Sequence, residues 1–485
     1  MNRRTFIQTA GAAGLGLAGR VGWSTAAPVA QMLELLEESP RERIPGELVR
    51  MIRAGLRQEE AIAALSLAAV RNVQPYPDVG YKYHAFMMLR AIQSAAQHLS
   101  STDQWLPVVW AADYFKNTQA EEHATSGWRL PARVAGPVDD AQAARHSLIA
   151  ALDHWDRDAA DAAVVNYAQI ASAHEILSLL FEFGARDLRA IGHKAITVSN
   201  AHRLCTLFGG DGALPLLRST VAALQNKGGD PDPASHDLSP DRPWRRNREK
   251  LHEIPRSWKQ GRDDTGARSE LRAALNRATE VEAGPIVVEM LRQQISPEAI
   301  WQVLFDMAAE LPMRQANIVL LHASTSANAL HYAYRTSSDE QTQQLMLLQC
   351  AAFCAMFRQF GNASDSNPGL EELQPLPLGG TGAEAIREIF SELAADRRAQ
   401  AARKTLGYLR AHGDADALIA TARQHLAYGG DEAHDYKWSE AVFDSYSQFS
   451  NFDWRCRYLS AGMAYFKAPA KPIPIVEETL ELMRS

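Results

Sequence analysis

Cysteine is scarce in this sequence, and its pattern excludes two kinds of protein. The 485 residues include four cysteines, too few for a disulfide framework in a chain of this length. No CxxC or CxxCH motif occurs, which removes the signature of a covalently attached c-type haem. Cys350 and Cys354 stand four apart on a predicted helix and therefore share one face, so we interpret them as core thiols.

The familiar local motifs of catalysis are missing too. There is no GxSxG nucleophile elbow, no HExxH and no HxH. The one GxGxxG, at residues 14–19, follows no predicted strand, and the single ExxH, at Glu249 and His252, lies in a connector. A functional site must therefore be sought in residues that the fold brings together from distant parts of the chain.

Excess positive charge and long apolar runs are also absent. The formal net charge is -7, and an acidic surface argues against nucleic acid as a partner. After the first residues, no run reaches the roughly 18 apolar residues of a membrane span. We therefore expect a soluble mature protein that binds a small molecule.

The N-terminus resembles a twin-arginine export signal. Arg3 and Arg4 are followed by Phe6 and by the mildly apolar, Gly/Ala-rich run of residues 10–17. Cleavage is expected near Ala26 and Ala27, which predicts a signal peptide at residues 1–27 and a periplasmic or other extracytoplasmic location. An uncleaved N-terminal anchor is the alternative. Removal of this segment, with its three arginines and no acid, changes the net charge from -7 to -10.

Strand signals are weak, since there is no sustained period-two alternation and no Asn-Gly turn. Apolar residues instead recur at helical spacing along most of the chain. The sequence therefore predicts an all-α protein, and we expect a helical repeat array, either a curved solenoid or a toroid.

A histidine pair that occurs twice indicates the repeat. His193 and His202 stand nine residues apart, as do His322 and His331, and the two pairs are offset by 129 residues. Weaker similarities extend the pattern upstream and downstream. We predict four degenerate multi-helix units, at residues 40–117, 144–227, 271–361 and 383–468. The connector at 228–266 contains a basic cluster, residues 242–248. We interpret this cluster as a solvated loop or as an anion-binding site.

Equivalent positions of related units line one surface of an array. Aligning Tyr436-Lys437-Trp438-Ser439 with Tyr81-Lys82-Tyr83-His84 gives two polar rows. The first row comprises His84, His193, His322 and Ser439, and the second comprises Gln93, His202, His331 and Gln448. Nine residues rotate an ideal helix by about 900°, so the two rows lie on opposite faces and only one can face a common cavity, unless the helix starts late or bulges. His434, five residues before Ser439, is a further candidate for the fourth unit's site.

Three chemistries remain open for these histidines. His84, His193 and His322 are candidate ligands of zinc, iron or copper, and they are also candidate general bases around an organic substrate. The third interpretation is structural, with each histidine hydrogen-bonded between adjacent units. His202 and His331 are the second-ranked candidates for the same site.

Two segments resemble the questin oxidase-like family of large helical proteins. The resemblance rests on His84, Arg90 and Ala91 and on the stretch Leu321-His322-Ala323-Ser324-Thr325-Ser326-Ala327-Asn328-Ala329-Leu330. It implies oxygen insertion into polycyclic aromatic ketones with ring opening, and the use of NADPH. On this basis we expect His84, His193 and His322 to be catalytic. We expect His202, His331 and Arg90 to bind a cofactor.

The leading hypothesis is an exported oxidoreductase that acts on an aromatic or other small organic substrate in a histidine-lined pocket between helical repeats. The competing hypothesis is a non-catalytic periplasmic helical-repeat binding protein.

Overall fold

A computed structural model describes residues 27–76, 80–138, 140–361, 369–412 and 415–485. The predicted export signal, except for Ala27, lies outside these residues. Within them the chain is all-α, as predicted, with one isolated β-bridge between Arg262 and Ile295 and no strand.

The α-helices, in chain order, are α1 (Ala27–Glu38), α2 (Ile44–Arg53), α3 (Gln58–Asn72), α4 (His84–Met87), α5 (Leu89–Gln97), α6 (Leu106–Thr125), α7 (Ala141–Asp153), α8 (Arg157–Tyr167), α9 (Ala173–Ala185), α10 (His193–Leu204), α11 (Leu214–Leu224), α12 (Arg242–Lys250), α13 (Thr265–Leu275), α14 (Glu280–Arg292), α15 (Pro297–Arg314), α16 (Ile318–Thr336), α17 (Glu340–Phe360), α18 (Gly382–Ala394), α19 (Arg398–His412), α20 (Asp416–Gly429), α21 (Ala433–Gln448), α22 (Phe452–Ala461) and α23 (Pro474–Arg484). Short 3-10 turns join several of them.

Local side-chain chemistry sets many of these boundaries. Ser172 caps α9 by accepting a hydrogen bond from a backbone N–H three residues later, and Asn317 caps α16 through the N–H two residues later. The first helical stretch of the unit at 144–227 is divided into α7 and α8. Trp155 between them has a positive φ of 54°, and Asp156 caps the second helix.

The connector at 228–266 was expected to be irregular, but its basic cluster forms α12. This helix packs against α14 and α17, and its Asn247 is buried and donates to Gln349 Oε1 at 2.7 Å. Arg242 and Arg245 pair with Asp237 on the exposed side. The basic side chains thus lie on the solvent face of an amphipathic helix, with an acidic partner beside them.

Four helices, one from each predicted unit, form a bundle at the centre. α5, α10, α16 and α21 contact one another in that order, and α21 contacts α5 again, so the bundle is closed. Outer helices cover it: α9 packs on α10, α15 and α17 on α16, α22 on α21, and α3 and α6 on α5. One large apolar cluster extends through these layers. Some polar side chains on the inward faces of these helices, such as His193 and His322, are consequently buried.

The described helices were also compared with the requirements of a bilayer. Within the part of the chain that the structure describes, no helix is both long and apolar enough to cross a membrane.

Candidate metal centre

Four histidines meet at one end of the central bundle. His84 is the first residue of α4, His193 begins α10, His322 is in the second turn of α16, and His434 is near the start of α21. One possible ligand atom from each lies within 4.8 Å of the others, and among the described residues this is the group that could hold a metal ion. Since every histidine stands near the start of its helix, the four helices run parallel.

The imidazole rings occupy the corners of a square. Neighbouring ring centroids are 5.0 Å apart for His84 and His193, 4.5 Å for His193 and His322, 5.0 Å for His322 and His434, and 4.5 Å for His434 and His84. The His84 and His322 centroids, across one diagonal, are 6.3 Å apart. The rings meet edge to face or tilted, and one ring nitrogen of each histidine lies within 4.8 Å of those of the others.

Hydrogen bonding leaves ring nitrogens available at this centre. In His322, Nδ1–H donates to the Ile318 carbonyl at 2.7 Å, which fixes the tautomer and leaves the lone pair on Nε2. Neither that Nε2 nor the Nε2 of His434 has a hydrogen-bond partner among the described residues. In His193 both ring nitrogens are buried, and neither has a hydrogen-bond partner among the described residues.

Burial keeps these imidazoles neutral. It lowers the pKa of His193 and of His322 well below the usual value, and neighbouring histidines and Lys437 lower both further. Burial, then Lys437, also lowers the pKa of His434, to about 3. A neutral imidazole offers a lone pair, which is the form that binds metal ions.

The backbone before His193 permits the close approach. Gly192 has a φ of +83°, and a Cβ there would overlap the Ser326 side chain on α16. Ala190 and Ile191 before it also have positive φ. Glycine thus allows the start of α10 to touch α16, which brings the His193 ring beside that of His322.

Lys437 is a buried cation beside the histidines. It stands one turn after His434, is 5% exposed, and its Nζ has no hydrogen-bond partner among the described residues. Burial lowers its pKa from 10.5 to about 7. Near neutral pH a large share of Lys437 is therefore a neutral amine, which can accept a proton.

We expect Lys437→Met to stabilise the metal-free protein in a pH-dependent way. Above the unfolded pKa of 10.5 both states of the wild type are neutral and there is no penalty. As the pH falls from 10.5 to about 7, only the unfolded chain gains the proton, so the wild type loses stability relative to the variant by an amount on the order of 3–5 kcal/mol. Urea unfolding of both proteins at pH 7 and pH 10 measures this difference, and equal differences at the two values would contradict the burial of an unpartnered amine.

A small cavity lies inside the bundle about one turn beyond the histidines, which are not among its lining residues. The residue three after each histidine lines it: Met87, Ile196, Thr325 and Lys437. The cavity volume is about 50 Å³. Further along, Arg203 donates to Asp444 at 3.0 Å and Asn328 donates to the same carboxylate at 2.9 Å, so these groups brace the wall. We call this space the inner cavity.

The structure brings three members of the predicted first row together and adds a different residue from the fourth unit. His84, His193 and His322 meet as expected, but their fourth partner is His434, and Ser439 does not belong to the histidine ring. One sequence signal supports the corrected register. An alanine follows seven residues after His84, His322 and His434, at positions that line the inner cavity.

The predicted second row lies on the opposite helix faces and forms no common site. His202 makes hydrogen bonds with Tyr332 Oη at 2.8 Å and with Ser178 Oγ at 3.1 Å. The ring of His331 packs between Trp301 and Phe449. The structure therefore gives His202 and His331 packing partners away from the ring. Their cofactor-binding role stays a prediction.

Arg90, the remaining predicted site residue, lines the inner cavity two turns beyond His84. Its Nη1 donates to Gln93 Oε1 at 3.1 Å. Burial, then Arg203, lowers the pKa of its guanidinium. Arg90 thus lies near the candidate centre but is not one of its ligands.

Of the two cofactors expected from the sequence, a metal ion fits the described residues better than NADPH does. Metal–imidazole bonds are about 2.0–2.1 Å, so nitrogens facing each other across an ion are about 4.2 Å apart. With all ligand atoms within 4.8 Å, small inward shifts reach this spacing. For NADPH, the described residues offer no strand, and hence no strand–turn–helix phosphate cradle.

Comparison with protein-family models, with curated proteins and with solved structures finds no match to this chain. The function is therefore argued from the geometry of the site.

Proposed function

We propose that the chain is a transition-metal-dependent oxidoreductase whose ion is held by His84, His193, His322 and His434. The observation that supports this most is the convergence of four imidazoles within 4.8 Å inside a closed bundle, with both ring nitrogens of His193 lacking a hydrogen-bond partner among the described residues. Iron, copper and zinc all accept imidazole ligands. A redox reaction favours iron or copper.

A purely structural role fits these histidines less well. Burying a polar group without a partner costs about 1–3 kcal/mol, so structural histidines are normally hydrogen-bonded. His202 shows the structural pattern, because both of its ring nitrogens have partners. His193 shows the opposite pattern, and an ion at the centre of the ring would use its lone pair.

The inner cavity favours a reactive centre over a closed structural site. Structural metal sites fill every position with protein ligands, whereas reactive sites keep one open. A cavity of about 50 Å³, enough for a group of a few non-hydrogen atoms, lies about one turn from the four histidines that would hold the ion. A redox-active ion would supply one-electron chemistry there.

The chain's own residues have distinct parts in this proposal. Met87 and Ile196 limit water on two walls of the cavity, and Thr325 lines a third. The Lys437 amine lines the same cavity and, with a pKa of about 7, can hold or release a proton. The substrate is proposed to be a small organic molecule. The oxygen insertion implied by the family resemblance is one reaction of this class.

Metal analysis tests the proposal. Protein purified through its native export route, or reconstituted after chelation, is expected to hold one transition-metal ion per chain by mass spectrometry of the metals, with an optical or paramagnetic signal. Less than a tenth of an ion per chain after metal supply would contradict it. Saturable binding of an organic ligand by such metal-free protein would instead favour the binding-protein hypothesis.

Export by the twin-arginine route is part of the same proposal and is supported by the motif around Arg3 and Arg4. Replacing both by lysine is expected to leave the protein in the cytoplasmic fraction. Continued export of that variant would contradict the assignment.

A further inference from the structure

The inner cavity opens toward a larger space that shares three of its lining residues. This outer cavity has a volume of about 560 Å³, and Arg90, Ser94 and Asp444 line both spaces. Arg90 therefore stands at the boundary between the histidine end of the bundle and the outer cavity.

The carboxylates near Arg90 are already bound by other arginines. Asp444 pairs with Arg203 at 3.0 Å. Glu440 receives two hydrogen bonds from Arg423, at 2.8 and 2.9 Å. A bidentate or close arginine–carboxylate pair of this kind neutralises both groups.

Arg90 itself has no such partner. Its one hydrogen bond within the described residues goes to the neutral amide of Gln93. Burial and the like charge of Arg203 lower the pKa of the partly buried Arg90 guanidinium, while Asp444 and Glu440, each paired with another arginine, raise it. A buried guanidinium without a carboxylate partner is costly, and an anion from outside would offset that cost.

The outer cavity adds further positive charge. Its lining includes Arg455 as well as Arg90, with Asp416 as an acidic residue, whereas Arg423 is paired with Glu440 and Asp444 with Arg203. Arg455 lies over the ring of Tyr446, 4.2 Å from its centroid, which holds this cation at the wall.

We propose that Arg90 binds the carboxylate of a small organic acid, which is the substrate of the metal centre. The assignment of this acid as a substrate rests on the proposed function. The body of the acid occupies the outer cavity, and the part directed toward the histidines is limited to a few non-hydrogen atoms by the inner cavity of about 50 Å³. A neutral polycyclic ketone offers Arg90 no charge and exceeds the inner cavity.

The test uses benzoate and its neutral analogue benzamide as probes, with calorimetric titration of metal-loaded and chelated full-length protein. Wild type is expected to bind benzoate at least tenfold more tightly than benzamide. Arg90→Gln should abolish this preference, and Arg90→Lys should keep part of it, because a charge remains without the bidentate geometry. Arg277→Gln, a change at an exposed arginine, should leave both affinities unchanged.

Metal content and urea unfolding are measured on the same samples. If Arg90→Gln keeps its metal and its stability but loses the benzoate preference, the anion site is supported. Equal binding of the two probes by wild type, or an undiminished preference in Arg90→Gln, would overturn it. Absence of metal from every sample would remove the proposed function, whereas Arg90-dependent benzoate binding by that metal-free protein would still support the anion site.

Discussion

Replacing His434 by alanine is expected to abolish stoichiometric metal binding. The variant removes one of four imidazoles whose ligand atoms lie within 4.8 Å of one another. Altering a residue that merely orients a metal ligand weakens affinity by about 10–100-fold, so loss of a ligand itself should exceed about 100-fold. Metal content after dialysis against a competing chelator, together with direct titration of the apo protein, measures the effect. His193→Ala should behave in the same way.

Two control variants separate this centre from alternatives. Ser439→Ala changes the residue that sequence alignment places in the ring, and it should retain one ion per chain. His202→Ala should also retain the ion but lower the free energy of unfolding by about 1–3 kcal/mol, because it removes the hydrogen bonds of a buried imidazole with Tyr332 Oη and Ser178 Oγ.

Full metal binding by His434→Ala, or its loss in Ser439→Ala, would show that the fourth ligand is misassigned. If His193→Ala bound metal normally and instead unfolded at much lower urea, the structural interpretation of the ring would be favoured.

Gly192→Ala is expected to be among the most destabilising single changes in the chain. A φ of +83° costs an L-residue about 1–2 kcal/mol, and overlap of the new Cβ with the Ser326 side chain adds about 1–3 kcal/mol. The free energy of unfolding should fall by about 2–5 kcal/mol. The displaced start of α10 should also weaken metal binding through His193.

Gly229→Ala is the matched control for the backbone contribution. Gly229 has a similar φ of +87°, but no atom lies within 4 Å of a Cβ built there. It should therefore show the backbone penalty alone and leave metal binding unchanged. Removing the Ser326 hydroxyl in a Gly192→Ala/Ser326→Ala double variant should recover part of the overlap cost, so the two changes should not be additive. Equal losses for Gly192→Ala and Gly229→Ala would mean that the contact with α16 is loose.

Much of the architecture was accessible from helical periodicity and turn chemistry. The all-α class follows from apolar spacing. Errors arose where one irregular residue divides a periodic stretch. Trp155 adopts a positive φ between α7 and α8. A tryptophan within a helical pattern does not predict this conformation.

The register of the fourth unit could not be obtained from local similarity. The likeness of residues 436–439 to residues 81–84 pointed to Ser439, whereas the ring contains His434. Five residues on a helix correspond to about 500° of rotation and about 7.5 Å of rise. That error moves the side chain to a different face and a different level of the bundle, although the helix itself is placed correctly.

By itself the sequence determined that the chain is helical, that histidines recur at equivalent positions, and that His322 and His331 lie on opposite faces of one helix. Helical rotation alone requires that last result, and α16 shows it. Only the tertiary structure decided which histidine completes the ring, how neutral His193 and Lys437 become, and that Arg90 lies where two cavities meet. Those properties depend on desolvation and on contacts between helices hundreds of residues apart, and neither is encoded in the spacing of residues along one helix.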